Sequence, residues 1–271
     1  MPELPEVETT RRGIAAAVAG QTLLGAHIRD RRLRWPIPEA FESQVAGQPV
    51  LGVARRGKYL LLQLRSGTVL IHLGMSGSLR VLHADIAPRL HDHVDLLLSS
   101  GQVLRYNDPR RFGSFHYLQG DPAQHPLLAD LGPEPLEDSF NAEYLHARSR
   151  RRQVAVKQFI MDSHVVVGVG NIYASEALYQ AGVRPGRAAG RLTVAESGKI
   201  VAAIKSVLSA AITQGGTTLR DYVNTNGIPG YFSQKLFVYD RAGKPCRRCP
   251  TKISTRVQGG RATYWCPNCQ K

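Results

Sequence analysis

Apolar and polar positions divide the chain into stretches of two different periods. In the first twenty residues Val7, Ile14 and Val18 fall on one helical face, with Pro5 at the first helical position, Glu6 and Glu8 in the first turn and Gly20 as a stop. The pattern predicts a helix from Pro5 to about Val18. From 22 to 118 the spacing shortens. Runs rich in Val, Leu and Ile (TLLGAHI, PVLGVARR, KYLLLQLRSG, TVLIHLGMSGSLRVL, HDHVDLLLSS, QVLRYN and GSFHYL) alternate with Gly and Ser punctuation, which predicts a series of strands forming a β-sandwich or flattened barrel. LGPEPLED at 131–138 is a Pro-containing break and the expected domain boundary. Beyond it helical spacing returns, with one or two helices over 139–161, another over 171–182 and a long one over 193–214. TTLRDYVNTNGIPGYFSQ then carries turn residues and little periodicity, and is expected to be a long functional loop. The fold class expected is α+β with more than one domain.

Composition sharpens this picture. The 271 residues suffice for two ordinary domains. A formal net charge of +14, dominated by Arg, points to a phosphate-rich partner, because each neutralised phosphate releases counterions. No run approaches the roughly 20 apolar residues of a membrane span, and glutamates stand where a signal peptide carries basic residues. A cytoplasmic protein without a membrane partner is expected.

Every cysteine falls in the last 26 residues, as CRRC (246–249) and CPNC (266–269). Two C-x-x-C pairs separated by 16 residues present Cys246, Cys249, Cys266 and Cys269 to one ion, and four thiolates with no open position predict one structural Zn2+. A pair of redox dithiols is the weaker alternative. Between the pairs, ISTRVQGGRATYW reads as strand, Gly-Gly turn, strand, with Arg256 and Arg261 expected at the turn and available to phosphates.

Three further motifs suggest chemistry. GVGNIYASEAL (168–178) suggests a turn at which Asn171 caps a helix beginning at Ile172 and an anion meets backbone N–H groups. DPRRFG (108–113) and HLGMSG (72–77) place an Arg-Phe pair and Met75 on two turns, a combination suited to filling the void left by an extruded base, although Met75 and Phe112 would also suit a core. His91 and His93 are expected to be packed histidines. Lys58, after Arg55-Arg56-Gly57, is either a solvated lysine or a phosphate contact. At the start, loss of Met1 would leave Pro2 as a secondary α-amine, titrating near about 8 and able to form an iminium with an electrophilic carbon, with Glu3 placed to move protons. Taken alone, MPELPEVETT also fits a plain helix entry.

The motifs together decide between these. PELPEVETTRRG, RRGKYLLL, HLGMSGSLR, DPRRFG, GVGNIYASEAL, PGYF and the terminal C-x2-C-x16-C-x2-C stand in order along nearly the whole chain, and the sequence closely resembles the bacterial formamidopyrimidine-DNA glycosylase family. The resemblance implies a bifunctional base-excision enzyme that removes oxidised purines such as 8-oxoguanine and formamidopyrimidines, then cleaves the abasic strand. It implies Pro2 as the nucleophile on C1′, Glu3 as acid and base and Glu6 as its support. Lys58, Asn171 and Arg261 correspond to a phosphate clamp, with His72 and Arg256 as further DNA contacts. Met75, Arg110 and Phe112 correspond to void fillers, with Arg110 facing the estranged cytosine, and Lys157 to a lysine near the damaged base. The implied domains are a catalytic β-sandwich with a leading helix (1–131), a linker (132–138), a helix-two-turns-helix domain with a lesion-capping loop at 217–227 (139–235), and a zinc finger (236–271). The implied partner is double-stranded DNA with a damaged base, bound by a monomer in the bacterial cytoplasm. An endonuclease VIII-like enzyme for oxidised pyrimidines, a silent damaged-DNA binder and a zinc-ribbon RNA-binding protein are the alternatives.

Overall fold

The computed structural model describes residues 2–215 and 236–271. The expected capping loop at 217–227 and the PGYF motif lie outside these described residues. The chain divides into two compact units, Met1–Ala129 with Gly215–Phe232, and Asp130–Gln214 with Ser233–Lys271.

The first unit opens with α1 (Leu4–Val18), whose Pro5 falls in the first turn. Eight strands follow: β1 (Thr22–Ile28), β2 (Gln48–Arg56), β3 (Tyr59–Leu64), β4 (Gly67–His72), β5 (Ser78–His83), β6 (Asp92–Leu98), β7 (Gln102–Asn107) and β8 (Ser114–Leu118), with the short α2 (Phe41–Val45) between β1 and β2. They hydrogen-bond in the order β5-β7-β6-β1-β2-β3-β4-β8. The join between halves is narrow. β1 meets β2 only at Thr22–Pro49 and Leu23–Gln48, and the register shifts just beyond, between Leu23 and Gly25 and between Val50 and Gly52. Such bulges bend strands. The two halves consequently share one core, with Leu60, Leu62 and Ile71 from one and Val94, Leu96 and Leu104 from the other. Across it the Tyr106 ring of β7 meets Phe115 of β8 at 5.0 Å. This is the sandwich the strand pattern predicts.

The run TVLIHLGMSGSLRVL divides between the halves. Residues 73–77 form a turn, so β4 pairs with β3 and β8 while β5 pairs with β7. Helix α1 packs on β2, β3 and β5. Its Val7, Ile14 and Val18 are at most 1% exposed, and each such burial stabilises by roughly 1.5–3 kcal/mol.

In the second unit, α3 (Ala142–Ser149), α4 (Val156–Met161), α5 (Asn171–Ala181) and α6 (Val194–Thr213) precede a hairpin of β9 (Ser254–Gln258) and β10 (Arg261–Trp265). Gly259 and Gly260 both have positive φ, 57° and 70°, as a two-residue type I′ turn requires. Asn141 caps α3, and Thr193 with Glu196 forms a capping box on α6. Helix α5 is the centre of this unit, packed on α4, α6 and β10. Its Glu176 carboxylate accepts the backbone N–H groups of Phe237, Val238 and Tyr239 at 2.8–2.9 Å, fastening the entry to the zinc hairpin. Beyond its C-terminus, Lys271 N–H bonds Gly182 O and Arg184 N–H bonds Lys271 O, so the chain end is bound in.

The start of α5 departs from expectation. Helix α5 begins at Asn171 with Gly170 in the cap position, so Asn171 is not the cap. Its side-chain oxygen is already engaged by Lys157. Among the described residues no helix is long and apolar enough to cross a membrane.

Candidate functional site

The head of α1 is fixed by its own glutamates. Glu3 occupies the cap with extended backbone, its side chain accepts the Glu6 N–H, and the Glu6 Oε2 accepts the Glu3 N–H at 2.8 Å. This reciprocal box satisfies two orphan donors and sets the chain's entry angle. Pro2 is buried, and Glu3 and Glu6 are 2% and 1% exposed. The Glu6 carboxylate thus holds the backbone from which Glu3 projects.

Glu8, in the first turn, anchors this helix. It accepts hydrogen bonds from Arg11 and Arg12 on α1 and, at 3.1 Å, from Arg55 on β2. Burial alone would raise its carboxyl, but the bonds from Arg11 and Arg12, the Arg11 charge and the Arg55 bond outweigh it and hold the pKa at about 2. The spacing Glu8, Arg11, Arg12 was legible as helical ion pairing; the Arg55 partner, 47 residues away, was not.

Lys58 sits at the tip of the β2–β3 hairpin, after Gly57, whose φ is 55°. Directly after it, Tyr59 of β3 pairs in register with His72 of β4, their rings 4.9 Å apart. Burial, then the charges of Lys58 and Arg34, hold His72 at about 4, so it is neutral at pH 7. Its Nδ1 accepts the Gly74 N–H at 3.0 Å, which leaves the ring proton on Nε2 as a donor.

The two turns of the expected wedge also take shape. Phe112 is 44% exposed rather than in the core, the Arg110 guanidinium lies 4.8 Å over its ring, and Met75 is half-buried. His93 is packed as expected, its Nε2 2.9 Å from Asp108 O. His91 does not lie on the strand beside it. It precedes β6 in left-handed backbone, φ 70°, and its carbonyl accepts the Asp108 N–H.

In the second unit Lys157 lies on α4. It is 1% exposed and donates to Asn171 Oδ1 at 2.5 Å and to Ala262 O and Thr263 Oγ1 at 2.9 Å, tying α4, α5 and β10 together. A buried ammonium is tolerated only with its three donors occupied, and here they are. Arg261 opens β10 beside the Gly-Gly turn, exposed, and lines a small cavity of about 190 Å³ with Gln158 and Gln258. Arg256 is not at the turn. It faces Thr263 in mid-strand, its guanidinium 5.7 Å over the Trp265 ring.

The four cysteine sulfurs lie within 4.8 Å of one another, with Cys249 3.6 Å from Cys266 and from Cys269, and Cys246 4.0 Å from Cys269. Zinc–thiolate bonds of about 2.3 Å at tetrahedral angles place sulfurs about 3.8 Å apart, so the cage fits Zn2+, whereas a disulfide needs about 2.05 Å. Tyr179 of α5 brings its hydroxyl to 3.1 Å from Cys246 Sγ. The four cysteines form the zinc site.

Comparison with known proteins places this architecture. Residues 1–115 match a family described as formamidopyrimidine-DNA glycosylase N-terminal domain, 131–223 the corresponding H2TH domain, and 243–271 a zinc finger found in FPG and IleRS. The formamidopyrimidine-DNA glycosylase of Thioalkalivibrio sulfidiphilus is 56% identical over 271 residues, and that of Methylococcus capsulatus 54%, each alignment covering 100% of both chains. The MutM (Fpg) crystal structure from Thermus thermophilus superimposes with a TM-score of 0.88 at 39% identity, covering 99% of this chain and 98% of that one. A Lactococcus lactis Fpg complex with abasic-site DNA gives 0.91 at 29%, covering 99% of each. With matches over both units and full-length relatives above half identity, the chain belongs to the formamidopyrimidine-DNA glycosylase family.

Proposed function

We propose that this protein is a bifunctional DNA glycosylase and abasic-site lyase of base excision repair, removing oxidised purines such as 8-oxoguanine and formamidopyrimidines from duplex DNA in the bacterial cytoplasm. The observation that carries the reading is the head of α1, where a proline precedes a buried glutamate whose backbone is held by a second buried glutamate. Once Met1 is removed, the Pro2 amine attacks C1′ of the extruded nucleotide and the bond to the base breaks. Glu3 gives a proton to open the sugar ring, leaving an iminium between Pro2 and C1′. The iminium acidifies C2′–H, so loss of that proton expels the 3′ phosphate, and a second elimination expels the 5′ phosphate.

Lys58 and the Nε2–H of His72 are proposed phosphate donors of the first unit, and Asn171 and Arg261 those of the second. Arg256, fixed over Trp265, is a weaker candidate. Lys157 serves by holding Asn171 and β10 rather than by touching the base. Met75, Arg110 and Phe112 are the proposed void fillers, and the exposure of Arg110 and Phe112 on their turn supports that role over packing. Extrusion is cheapest for a damaged base, which contributes selectivity before any edge is read.

Several Lactococcus lactis structures are of Fpg bound to abasic-site or Fapy-dG DNA, and the proposal gives this chain the same class of ligand. The test is excision from two duplexes, one with 8-oxoguanine opposite cytosine and one with thymine glycol. Faster release of 8-oxoguanine, with phosphates left on both sides of a one-nucleotide gap, is expected. Preference for thymine glycol, or binding without cleavage, overturns the reading.

A further inference from the structure

Asp108 is wholly buried, with 0% exposure, yet no catalytic or DNA-contacting part falls to it. Its carboxylate is surrounded by donors from two separate turns. Oδ1 accepts the Ser76 hydroxyl at 2.7 Å and, more weakly, the Arg110 N–H at 3.3 Å. Oδ2 accepts the Tyr106 hydroxyl and the Gly113 N–H, each at 2.9 Å. Ser76 follows Met75, and Arg110 and Gly113 bracket Phe112. The one carboxylate therefore fastens the turn carrying Met75 to the turn carrying Arg110 and Phe112.

The turns also meet backbone to backbone. A Cβ on Gly74 would lie 2.5 Å from Phe112 C and Gly113 N, and one on Gly113 would lie 1.7 Å from the Tyr106 hydroxyl, so neither position admits a side chain. On the far side, Gly113 O accepts the Arg34 N–H at 3.1 Å, and Arg111, in left-handed backbone at φ 56°, pairs with Asp30 at 3.2 Å. Backbone strain of this kind persists only where surrounding contacts over-determine it.

We infer that Asp108, through Ser76, Tyr106 and the Gly113 N–H, is the positioning residue that makes the Met75 turn and the Arg110–Phe112 turn one rigid wedge, and thereby sets selectivity for the base opposite the lesion. The inference rests on the void-filling part proposed above for Met75, Arg110 and Phe112. A planar donor fork such as Arg110 discriminates only if its approach is held to a fraction of an ångström, and Asp108 bonds the backbone N–H of Arg110 itself. Selectivity, rather than bond breaking, is the property that a loosened wedge loses first.

The test compares wild type with Ser76→Ala, Tyr106→Phe and Asp108→Asn. Each is assayed for single-turnover excision of 8-oxoguanine opposite cytosine and opposite adenine, for cleavage of a single-stranded oligonucleotide bearing an abasic site, and for 2-aminopurine fluorescence beside the lesion. Asp108→Asn leaves an amide NH2 facing a donor, and the cytosine-over-adenine ratio is expected to fall about tenfold; for Ser76→Ala, which removes one half-buried hydroxyl, the fall is roughly fivefold. Single-stranded cleavage, which has no void to fill, stays at the wild-type rate, while the fluorescence change that reports wedge entry shrinks. If Asp108→Asn misfolds, Ser76→Ala and Tyr106→Phe decide. An unchanged ratio in these variants, or a parallel loss of single-stranded cleavage, overturns the inference. A wild type that cuts opposite both bases equally overturns the underlying wedge reading as well, and Met75→Ala and Phe112→Ala then leave excision unaltered.

Discussion

At the head of α1, Glu3 and Glu6 fix each other's backbone three residues apart, whereas in the second unit Lys157 reaches 105 and 106 residues along the chain to Ala262 and Thr263. The first arrangement is local: a capping box forms wherever a helix begins with this spacing, and it leaves the chain end aimed by the helix itself. The second is assembled by folding. A buried ammonium, a four-thiolate cage and the Glu176 carboxylate hold a small hairpin that has little apolar core of its own. The difference is that the proposed chemistry is preorganised by secondary structure, and the second unit's share of the proposed phosphate grip by tertiary contacts and a metal.

The sharpest break of this comparison is Glu3→Gln, which keeps the size of the cap residue and removes its proton chemistry. Base excision is expected to fall about 10³-fold in single-turnover assays, with affinity for a duplex containing an abasic-site analogue retained. Cys249→Ser, or removal of zinc by a chelator, attacks the other side. The hairpin loses its folding energy, and DNA affinity drops by about 100-fold as its phosphate contacts are lost, measured by fluorescence anisotropy.

Lys157→Met separates positioning from contact, since it leaves Asn171 Oδ1, Ala262 O and Thr263 Oγ1 without their shared donor. A stability loss of about 2–3 kcal/mol is expected in denaturant unfolding, with weaker binding and an unchanged rate for the bound complex. A fall in the bound rate instead would place Lys157 at the base.

Glu8→Gln tests the clamp on α1 through pH. Glu8 is held at about 2, below its ordinary 4.5, so its stabilisation is complete above 4.5 and disappears as the pH falls towards 2. The side chain is 10% exposed but Arg12 is 59% exposed, so the screened contribution is about 2 kcal/mol at neutral pH. The variant should be less stable by that amount at pH 7 and equal to wild type near pH 2, by thermal melting. The smallest effect is expected for Arg261→Ala, which removes one phosphate contact: the slope of log K against log salt should fall by about 1.

The features legible in the sequence are those written in local spacing. The period of α1, the punctuation of the strands, the long helix α6 and the two C-x-x-C pairs each depend on residues a few positions apart. Contacts closed across the fold were not legible. The turn at 73–77 sends β4 and β5 to different halves of the sandwich although they read as one hydrophobic run, because pairing partners rather than composition decide which half a strand joins. Nothing near Lys157 in the sequence announces the partners that close over it, Asn171 on α5 and Ala262 and Thr263 on β10. Asp108 sits in a motif noticed for its Arg and Phe, while its own partner Ser76 lies 32 residues earlier.

The central claim is that Pro2, freed of Met1, is the nucleophile. The most direct measurement is borohydride trapping on a duplex carrying 8-oxoguanine opposite cytosine, with mass spectrometry of the N-terminal peptide. The account predicts a covalent protein–DNA adduct reduced onto the nitrogen of a peptide that begins at Pro2. An adduct on a lysine, a trapped chain that retains Met1, or lesion binding with no adduct would contradict it.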